Sequence, residues 1–172
     1  MTIDAMNKKI RQYIGLLAAV VAYYGIHEGA HLLYALATGV FKGIHLLGLG
    51  IQIDVHAQQM TESQLELFCL VGAVATFLTG WGLILSARWI CRWKSKLWRA
   101  VLYYITIAML VADPIYLGVL APFVGGGDLN GIALLIPKSM AQAMALVILL
   151  LNGWAFWKIV LPQYQKSFQN TP

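Results

Sequence analysis

The sequence predicts an all-α polytopic membrane protein, with four transmembrane helices and a short membrane-associated β-hairpin between helices 1 and 2. Hydrophobic residues make up 60% of its 172 residues and charged residues only 11%, whereas about 25% of an ordinary soluble domain is charged. The hydrophobic residues also lie in runs of about 20, the length at which a helix crosses roughly 30 Å of hydrocarbon. One core cannot bury this much apolar surface, so we expect a single membrane-embedded domain whose surface faces the lipid bilayer.

Four apolar runs define the predicted helices. A window of about 20 residues places them at residues 14–38, 65–87, 97–122 and 138–161. The first run is longer than the apolar core of a signal peptide, and no clear cleavage site follows it. We therefore expect it to remain in the mature protein as the first span.

The segment from Leu49 to His56 predicts a β-strand, because apolar residues alternate there with polar residues or glycine. Four glycines lie in or near this segment: Gly39, Gly43, Gly48 and Gly50. They indicate a hairpin that is entered through a tight bend. Further along the chain, Thr61 and Gln64 have the spacing of a capping box, which predicts the start of the second helix.

The distribution of positive charge predicts the orientation of the spans. Ten of the twelve Lys and Arg residues lie on one side of a four-span arrangement, and only Lys42 and Lys138 lie on the other. The positive-inside rule assigns the basic side, with both termini, to the cytoplasm, and we expect the plasma membrane. Five tryptophans near the same side are typical of an interfacial belt: Trp89, Trp93, Trp98, Trp154 and Trp157. Because the basic residues form no separate solvated face, we expect no nucleic-acid partner despite the net charge of +5.

The first span contains the pattern H-E-x-x-H, from His27 to His31. The two histidines lie one turn apart and about 40° apart on one face of a helix, so both imidazoles can reach one metal ion. Glu28 then faces the metal-bound water as a general base. Ionisable residues inside a membrane span are costly, and three of them within five residues favour a shared role such as metal binding. The alternative is a polar cluster that hydrogen-bonds between helices.

A catalytic zinc ion usually has three protein ligands, and the histidines supply two of them. Two aspartates remain after those in segments expected to reach water are set aside. Asp113 lies at the depth of His27, and Pro114 beside it should loosen the third helix. Asp128 follows three glycines that can fold its segment inward. The residues alone leave both candidates open.

These motifs together resemble the site-2 protease family of intramembrane zinc metalloproteases. The H-E-G-A-H sequence lies in the first span and precedes a hairpin bordered by glycine. The second span carries V-G-A-V-A-T-F-L-T-G (residues 71–80), which is similar to the small-residue G-P-x-x-N helix of the family but lacks its Pro and Asn. The sequence G-G-D-L-N-G (residues 126–131), followed by Ile136 and Pro137, stands where the family has its aspartate motif. The similarity covers most of residues 14–140.

The resemblance implies an endopeptidase that cleaves transmembrane or membrane-associated protein substrates. It implies that His27, His31 and Asp128 bind Zn²⁺, that Glu28 is the catalytic base, and that Asp113 supports a ligand or relays protons. In the family the zinc lies nearer the cytoplasm, whereas the charges of this chain place His31 toward the outer face. We keep the orientation that the charges predict.

Other residues have candidate roles around this centre. The predicted strand could pair with an extended substrate along its edge, or it could simply cover the site. Three side chains are candidate donors to a developing oxyanion: Tyr23, Tyr24 and His45. Small residues should let helices approach closely around the polar centre; they are Gly25 and Gly29 in the first span and Gly72, Thr76 and Gly80 in the second.

The alternative function is that of a non-catalytic membrane protein that binds a metal or a partner helix. A metal carrier needs a continuous polar path across the membrane, and the second and fourth spans offer little beyond a few neutral polar residues: Thr76, Thr79, Gln142 and Asn152. An inactive relative would tolerate the loss of Glu28, since this residue is not expected to bind zinc. The presence of Glu28 therefore favours hydrolysis.

Overall fold

The computed structural model describes residues 7–47, 50–125 and 127–169, and all structural statements concern these residues. Its helices and strands, in chain order, are α1 (Lys8–Ala37), β1 (Phe41–Leu47), β2 (Gly50–Val55), α2 (Glu62–Ile90), α3 (Lys96–Ile115), α4 (Ala121–Val124), α5 (Gly127–Leu135), α6 (Lys138–Ala155) and α7 (Leu161–Gln169). Two π-helical segments, Tyr116–Leu120 and Phe156–Val160, connect α3 to α4 and α6 to α7.

Four helices are long and apolar enough to cross a membrane, which confirms the predicted fold class. They run over Lys8–Ala37, Glu62–Ile90, Lys96–Val124 and Lys138–Gln169. At most 33% of the most apolar window of any span is buried within the protein, so most of this surface faces lipid. Every helix is longer than its predicted span. Hydropathy detects only the apolar part of a helix, whereas the first, second and fourth helices continue into polar residues beyond it.

Side chains that accept hydrogen bonds from backbone N–H groups cap the starts of the first three spans. The Asn7 side chain accepts a hydrogen bond from the backbone N–H of Lys9 at the start of α1, and the predicted capping box of Thr61 and Gln64 is present at the start of α2. The Ser95 side chain accepts one from the N–H of Trp98 at the start of α3. Such caps stabilise helix starts by about 1 kcal/mol each.

The predicted hairpin is present between α1 and α2. Strands β1 and β2 pair antiparallel from Phe41 opposite Val55 to Leu47 opposite Gly50. The described strand begins at Gly50, and Gly48 and Leu49 of the prediction lie outside the described residues. Gly39 makes the bend before β1 with φ +73°, a conformation that other residues rarely adopt.

A salt bridge joins the two strands on the exposed side of the hairpin. Lys42 Nζ lies 2.8 Å from Asp54 Oδ2, and His45 Nε2 lies 3.4 Å from the same oxygen. The hydrogen bond from Lys42 and the nearby positive charge hold the pKa of Asp54 below its usual value. The bridge is therefore present at neutral pH and is lost only as acid protonates Asp54.

Some of the glycines that the sequence indicates allow two helices to approach closely, and others do not. A Cβ atom added at Gly80 would lie 2.8 Å from Leu110 Cδ2, so α2 and α3 approach closely there. By contrast, no described atom of another element lies within 4 Å of a Cβ added at Gly25 or Gly29. The expectation that these two glycines admit a neighbouring helix is wrong. That face of α1 is open, because the neighbouring helices pack on its histidine-bearing face instead.

Candidate metal centre

His27 and His31 form one wall of a buried polar centre in α1. Their side chains are only 6% and 3% exposed, and the two Nε2 atoms lie 3.2 Å apart. The spacing of four residues in a helix produces this arrangement, because residues i and i+4 lie one above the other on the same face. Both histidines thus present the same nitrogen to the same point.

Asp128 approaches this point from a different segment. It lies in the first turn of α5, where its Oδ2 is 3.3 Å from His27 Nε2 and its Oδ1 is 3.8 Å from His31 Nε2. Leu129 is fully buried and fixes α5 against the bundle. Gly125 has φ +85°, a left-handed conformation that lets the chain turn from α4 into α5. Gly126 of the sequence motif lies outside the described residues.

The distances among these three side chains fit a tetrahedral metal ion. One ligand atom from each of His27, His31 and Asp128 can be chosen so that all lie within 4.8 Å of one another. Two nitrogen or oxygen ligands placed about 2.0–2.1 Å from a tetrahedral zinc ion lie roughly 3.3 Å apart. Two of the separations found here, 3.2 and 3.3 Å, are close to this value, and the third, between His31 Nε2 and Asp128 Oδ1, is longer at 3.8 Å. The structure therefore brings together the three residues named as zinc ligands in the sequence analysis.

Asp113, the other candidate ligand, contacts the opposite side of the His27 ring. Its Oδ1 lies 3.0 Å from His27 Nδ1, and it accepts hydrogen bonds from the hydroxyls of Tyr23, at 2.6 Å, and of Thr76. A carboxylate beside the second ring nitrogen of a metal-binding histidine fixes the orientation of the ring and raises its basicity. This geometry suits Asp113 for supporting a ligand rather than for binding the metal.

Glu28 faces the same cavity as the metal cluster and is tied to the hairpin. Its Oε2 accepts a hydrogen bond of 3.2 Å from the backbone N–H of Ile53 in β2. The cavity has a volume of about 610 Å³ and is bordered by α1, β2, the C-terminal part of the third span and α5. Glu28, the two histidines and Asp128 all line it, so the candidate general base lies in the cavity with the candidate ligands.

Aromatic rings pack against both histidines. The ring centroids of His31 and Phe68 lie 4.7 Å apart, and those of His27 and Tyr23 lie 5.4 Å apart. Gly72 of α2 faces both imidazoles, and a Cβ atom added there would lie 2.5 Å from His31 Nε2. The small residue is therefore needed because the histidine rings occupy the space that a side chain would fill.

The candidate oxyanion donors differ in their placement. Tyr23 donates its hydroxyl hydrogen to Asp113, and His45 lies on the exposed side of the hairpin next to Asp54. Tyr24 lines the cavity. Tyr23 lines it as well, but its hydroxyl hydrogen is already donated to Asp113.

Sequence reasoning missed three contributions to the centre. The contact between Ile53 N–H and Glu28 depends on how the hairpin folds back, for which the sequence holds no signal. The sequence analysis assigned Gly72 to helix packing in general and did not predict that it leaves space for the histidine rings. The link from Tyr23 to Asp113 had a weak signal, because Tyr23 precedes His27 by one helical turn and shares its face.

The fold and the site define a class of protein: a four-span helical membrane protein with a buried cluster of two histidines and one carboxylate. A scan against protein-family models, a search of curated proteins and a search of solved structures found no match to this chain. The resemblance to site-2 proteases therefore rests on the sequence motifs alone.

Proposed function

We propose that this chain is an intramembrane zinc metalloprotease of the site-2 type. The observation that carries the proposal is the convergence of His27 Nε2, His31 Nε2 and Asp128 at tetrahedral spacing, with Glu28 in the same cavity. These residues would hold Zn²⁺ and leave the fourth position to water or substrate. Zinc, when bound, supplies Lewis-acid chemistry that lowers the pKa of water towards about 7 and polarises a peptide carbonyl.

The residues of the chain then have distinct tasks in hydrolysis. Glu28 accepts the proton of the water that adds to the carbonyl carbon, and it delivers that proton to the nitrogen released when the C–N bond breaks. The hydrogen bond from Ile53 holds the Glu28 carboxylate in place. Asp113 orients His27 through the contact with Nδ1.

The free edge of β2 is the proposed docking site for substrate. A peptide bond within a helix is shielded by the hydrogen bonds of that helix, so the substrate must become extended before cleavage. Ile53 N–H points to Glu28 and away from β1, and with a period of two the N–H of Ile51 points the same way. Ile51 and Ile53 both line the cavity of the centre, so a strand paired to this edge would pass beside the cluster.

We place both termini in the cytoplasm and the active site in the outer half of the plasma membrane. The starts of α1 and α3 and the end of α7 line one common cavity, so three basic segments gather at one end of the bundle. The positive-inside rule supports a cytoplasmic location for that end. The substrate class that follows is a membrane-associated or transmembrane protein that unwinds near the outer interface.

Metal content and peptide cleavage test this proposal together on detergent-purified protein. We expect about one zinc per chain in the wild type and in Glu28→Gln, and a loss of zinc in His27→Ala. Cleavage of a fluorescent single-span peptide with a glycine pair near its outer end should occur with the wild type but not with Glu28→Gln or His27→Ala. His45→Gln, which changes an exposed histidine on the hairpin, is the matched control and should retain both zinc and cleavage. Equal zinc content in the wild type and His27→Ala would contradict the proposed centre.

A further inference from the structure

Pro114 leaves one backbone carbonyl of the third span without its usual helical partner. It lies inside α3, next to Asp113, and a proline has no N–H to donate to the carbonyl of the residue four positions earlier. That residue is Leu110, which is 1% exposed. A carbonyl buried inside a membrane span finds no water to bond, so a neighbouring group has to donate to it.

Asn152 of α6 supplies this donor. Its Nδ2 donates a hydrogen bond of 2.7 Å to the carbonyl oxygen of Leu110, and its Oδ1 accepts one of 3.1 Å from the indole N–H of Trp81 in α2. The Asn152 side chain is 1% exposed. One buried amide therefore joins α2, α3 and α6 at the helical turn that carries Asp113.

Packing alone does not hold this turn in place. A cavity of about 330 Å³ lies between α2, α3, α5 and α6, and Asp113, Pro114 and Asn152 all line it. Atoms that border a void have no packing partners on that side. The position of the turn therefore depends on its hydrogen bonds more than it would in a close-packed core.

The position of this turn matters because of the contacts that Asp113 makes. Its Oδ1 lies 3.0 Å from His27 Nδ1, and the hydroxyls of Tyr23 and Thr76 donate to its carboxylate. These contacts come from α1 and α2, and they act on the carboxylate group. Asn152 adds a restraint from α6 that acts on the backbone of α3.

We propose that Asn152 is a positioning residue of the metal centre. It satisfies the carbonyl that Pro114 leaves open, fixes the turn between Leu110 and Asp113, and so holds the Asp113 carboxylate against His27. This role rests on the proposed function, in which His27 binds the metal. Asn152 is not among the described residues that line the cavity of the metal centre, so it acts through α3.

Zinc competition with a chromophoric chelator tests the proposal on purified variants of the chain. Asn152→Leu removes the donor with little change of volume, so we expect zinc affinity to fall about tenfold, the lower end of the range for changes around metal ligands. Pro114→Ala restores an N–H for the Leu110 carbonyl. In that background, Asn152→Leu should change zinc affinity by less than about twofold.

Equal losses of zinc affinity in the two backgrounds would overturn the proposal, because Asn152 would then not act through the Leu110 carbonyl. Asn152→Ser serves as a second variant if Asn152→Leu does not fold. A serine hydroxyl in a helix bonds to the preceding turn of its own helix, so it leaves the Leu110 carbonyl open and should give the same readings.

A second cycle tests whether the effect passes through Asp113. In an Asp113→Asn background, Asn152→Leu should weaken zinc binding by less than about twofold more, since the charge that it positions is already gone. A further tenfold loss there would mean that Asn152 reaches the centre by another route, and the proposal would fail.

Gln142→Leu is the matched control for the loss of a polar side chain from α6. Gln142 lies ten residues before Asn152 in that helix, about 15 Å along its axis, and the variant should bind zinc as the wild type does. An equal loss of affinity in Gln142→Leu would indicate general damage to α6 and would also overturn the assignment.

A readout without metal separates this proposal from the proposed function. In metal-free protein with isotope-labelled histidine, the NMR signal of His27 Nδ1, assigned by its absence from His27→Ala, reports the neighbouring carboxylate. We expect Asn152→Leu to move this signal, and not to move it when Pro114→Ala is already present. An unmoved signal in Asn152→Leu alone overturns the positioning role whether or not the wild type binds zinc. A moved signal in a protein that binds no zinc rejects the metal centre but supports the action of Asn152 on Asp113.

Discussion

His27 is held at both of its ring nitrogens by carboxylates from different helices. Asp113 lies beside Nδ1 and Asp128 beside Nε2, so the ring cannot rotate without losing one contact. The hydroxyls of Tyr23 and Thr76 in turn fix Asp113. A histidine held in this way loses little conformational freedom when a metal binds, which favours tight binding.

The two aspartates should differ in their effect on zinc. Asp128→Ala removes a ligand, so we expect the zinc content of the purified protein to fall well below one per chain. Asp113→Asn keeps the shape of the side chain but loses its charge, so we expect zinc affinity to weaken by about 10- to 100-fold while a metal is still bound. Competition with a chromophoric chelator measures both effects, with Asp54→Asn on the hairpin as the control. If Asp113→Asn strips the metal and Asp128→Ala does not, the assignment of the two carboxylates is wrong.

A substitution of Gly72 should weaken zinc binding, although Gly72 itself offers no ligand atom. In Gly72→Ala the new Cβ would lie 2.5 Å from His31 Nε2 and 2.7 Å from His27 Nε2, so both rings must move. We expect zinc affinity to fall by about tenfold or more, the scale on which changes around metal ligands act. Gly82→Ala in the same helix, where no described atom lies within 4 Å of the added Cβ, should leave zinc affinity unchanged. Unchanged zinc binding by Gly72→Ala would contradict the packing described here.

At the scale of single residues, the sequence predicted the residues that belong to a recognisable motif. It missed the residues that matter only through a contact in the folded protein. The spacing of His27 and His31 determined their shared face, because four residues make one helical turn. Depth along the span favoured Asp113, whereas the flexible glycines allowed Asp128. Depth does not show which nitrogen of an imidazole a carboxylate approaches, and the two aspartates lie at opposite nitrogens of His27. The resemblance to a family supplied the choice of Asp128. The role of Ile53 depends on its backbone, which no side-chain pattern records.

At the scale of elements, the hairpin is the part of the site that can be altered without touching the metal. Ile51→Pro removes an N–H from the free edge of β2, so we expect cleavage of an extended substrate to fall while zinc content stays at one per chain. Ile44 lies opposite Ile53 in β1, and its N–H points to the outer edge, away from the cluster.

Ile44→Pro is therefore the matched control for the hairpin, because proline is tolerated on a strand edge that faces solvent. Cleavage rates on a substrate with an extended segment, compared with zinc content, separate the two variants. Equal losses of cleavage in Ile51→Pro and Ile44→Pro would indicate damage to the whole hairpin and would contradict pairing along the inner edge.

Elements with a strong pattern were predicted and elements that depend on tertiary packing were not. The four spans and the alternating strand β2 follow from hydropathy and from a period of two. Strand β1 has no such alternation, since its sequence is F-K-G-I-H-L-L, and it forms because β2 pairs with it. The two π-helical segments, Tyr116–Leu120 and Phe156–Val160, were not predicted. No residue type in the sequence indicates where a helical turn takes up an extra residue.

At the scale of the whole molecule, the orientation in the membrane can be measured with single cysteines. On a background with Cys69 and Cys91 replaced, Gln58→Cys should react with an impermeant thiol reagent on intact cells and Lys94→Cys should not. Both positions are exposed, one between the hairpin and α2 and the other between α2 and α3. The physical reason is the basic segment around Lys94, which is difficult to translocate.

Labelling of both cysteines after the cells are permeabilised is the control for their reactivity. The reverse pattern on intact cells would invert the orientation and place the metal centre in the cytoplasmic half of the membrane. The fold would be unchanged in that case, because four spans keep both ends of the chain on the same side in either orientation.

The ligands of the proposed centre are far apart in the chain. His27 and His31 belong to the first span, whereas Asp128 lies in α5, after the third span has ended. A ribosome that delivers this chain into a membrane must therefore finish three spans before the metal can meet its full set of ligands. Until then, the first span presents two histidines and a glutamate without their partners. If the proposed centre holds a metal, we expect it to be loaded late in biogenesis, and we expect quality-control proteases to recognise a chain truncated before α5 as an orphaned polar helix.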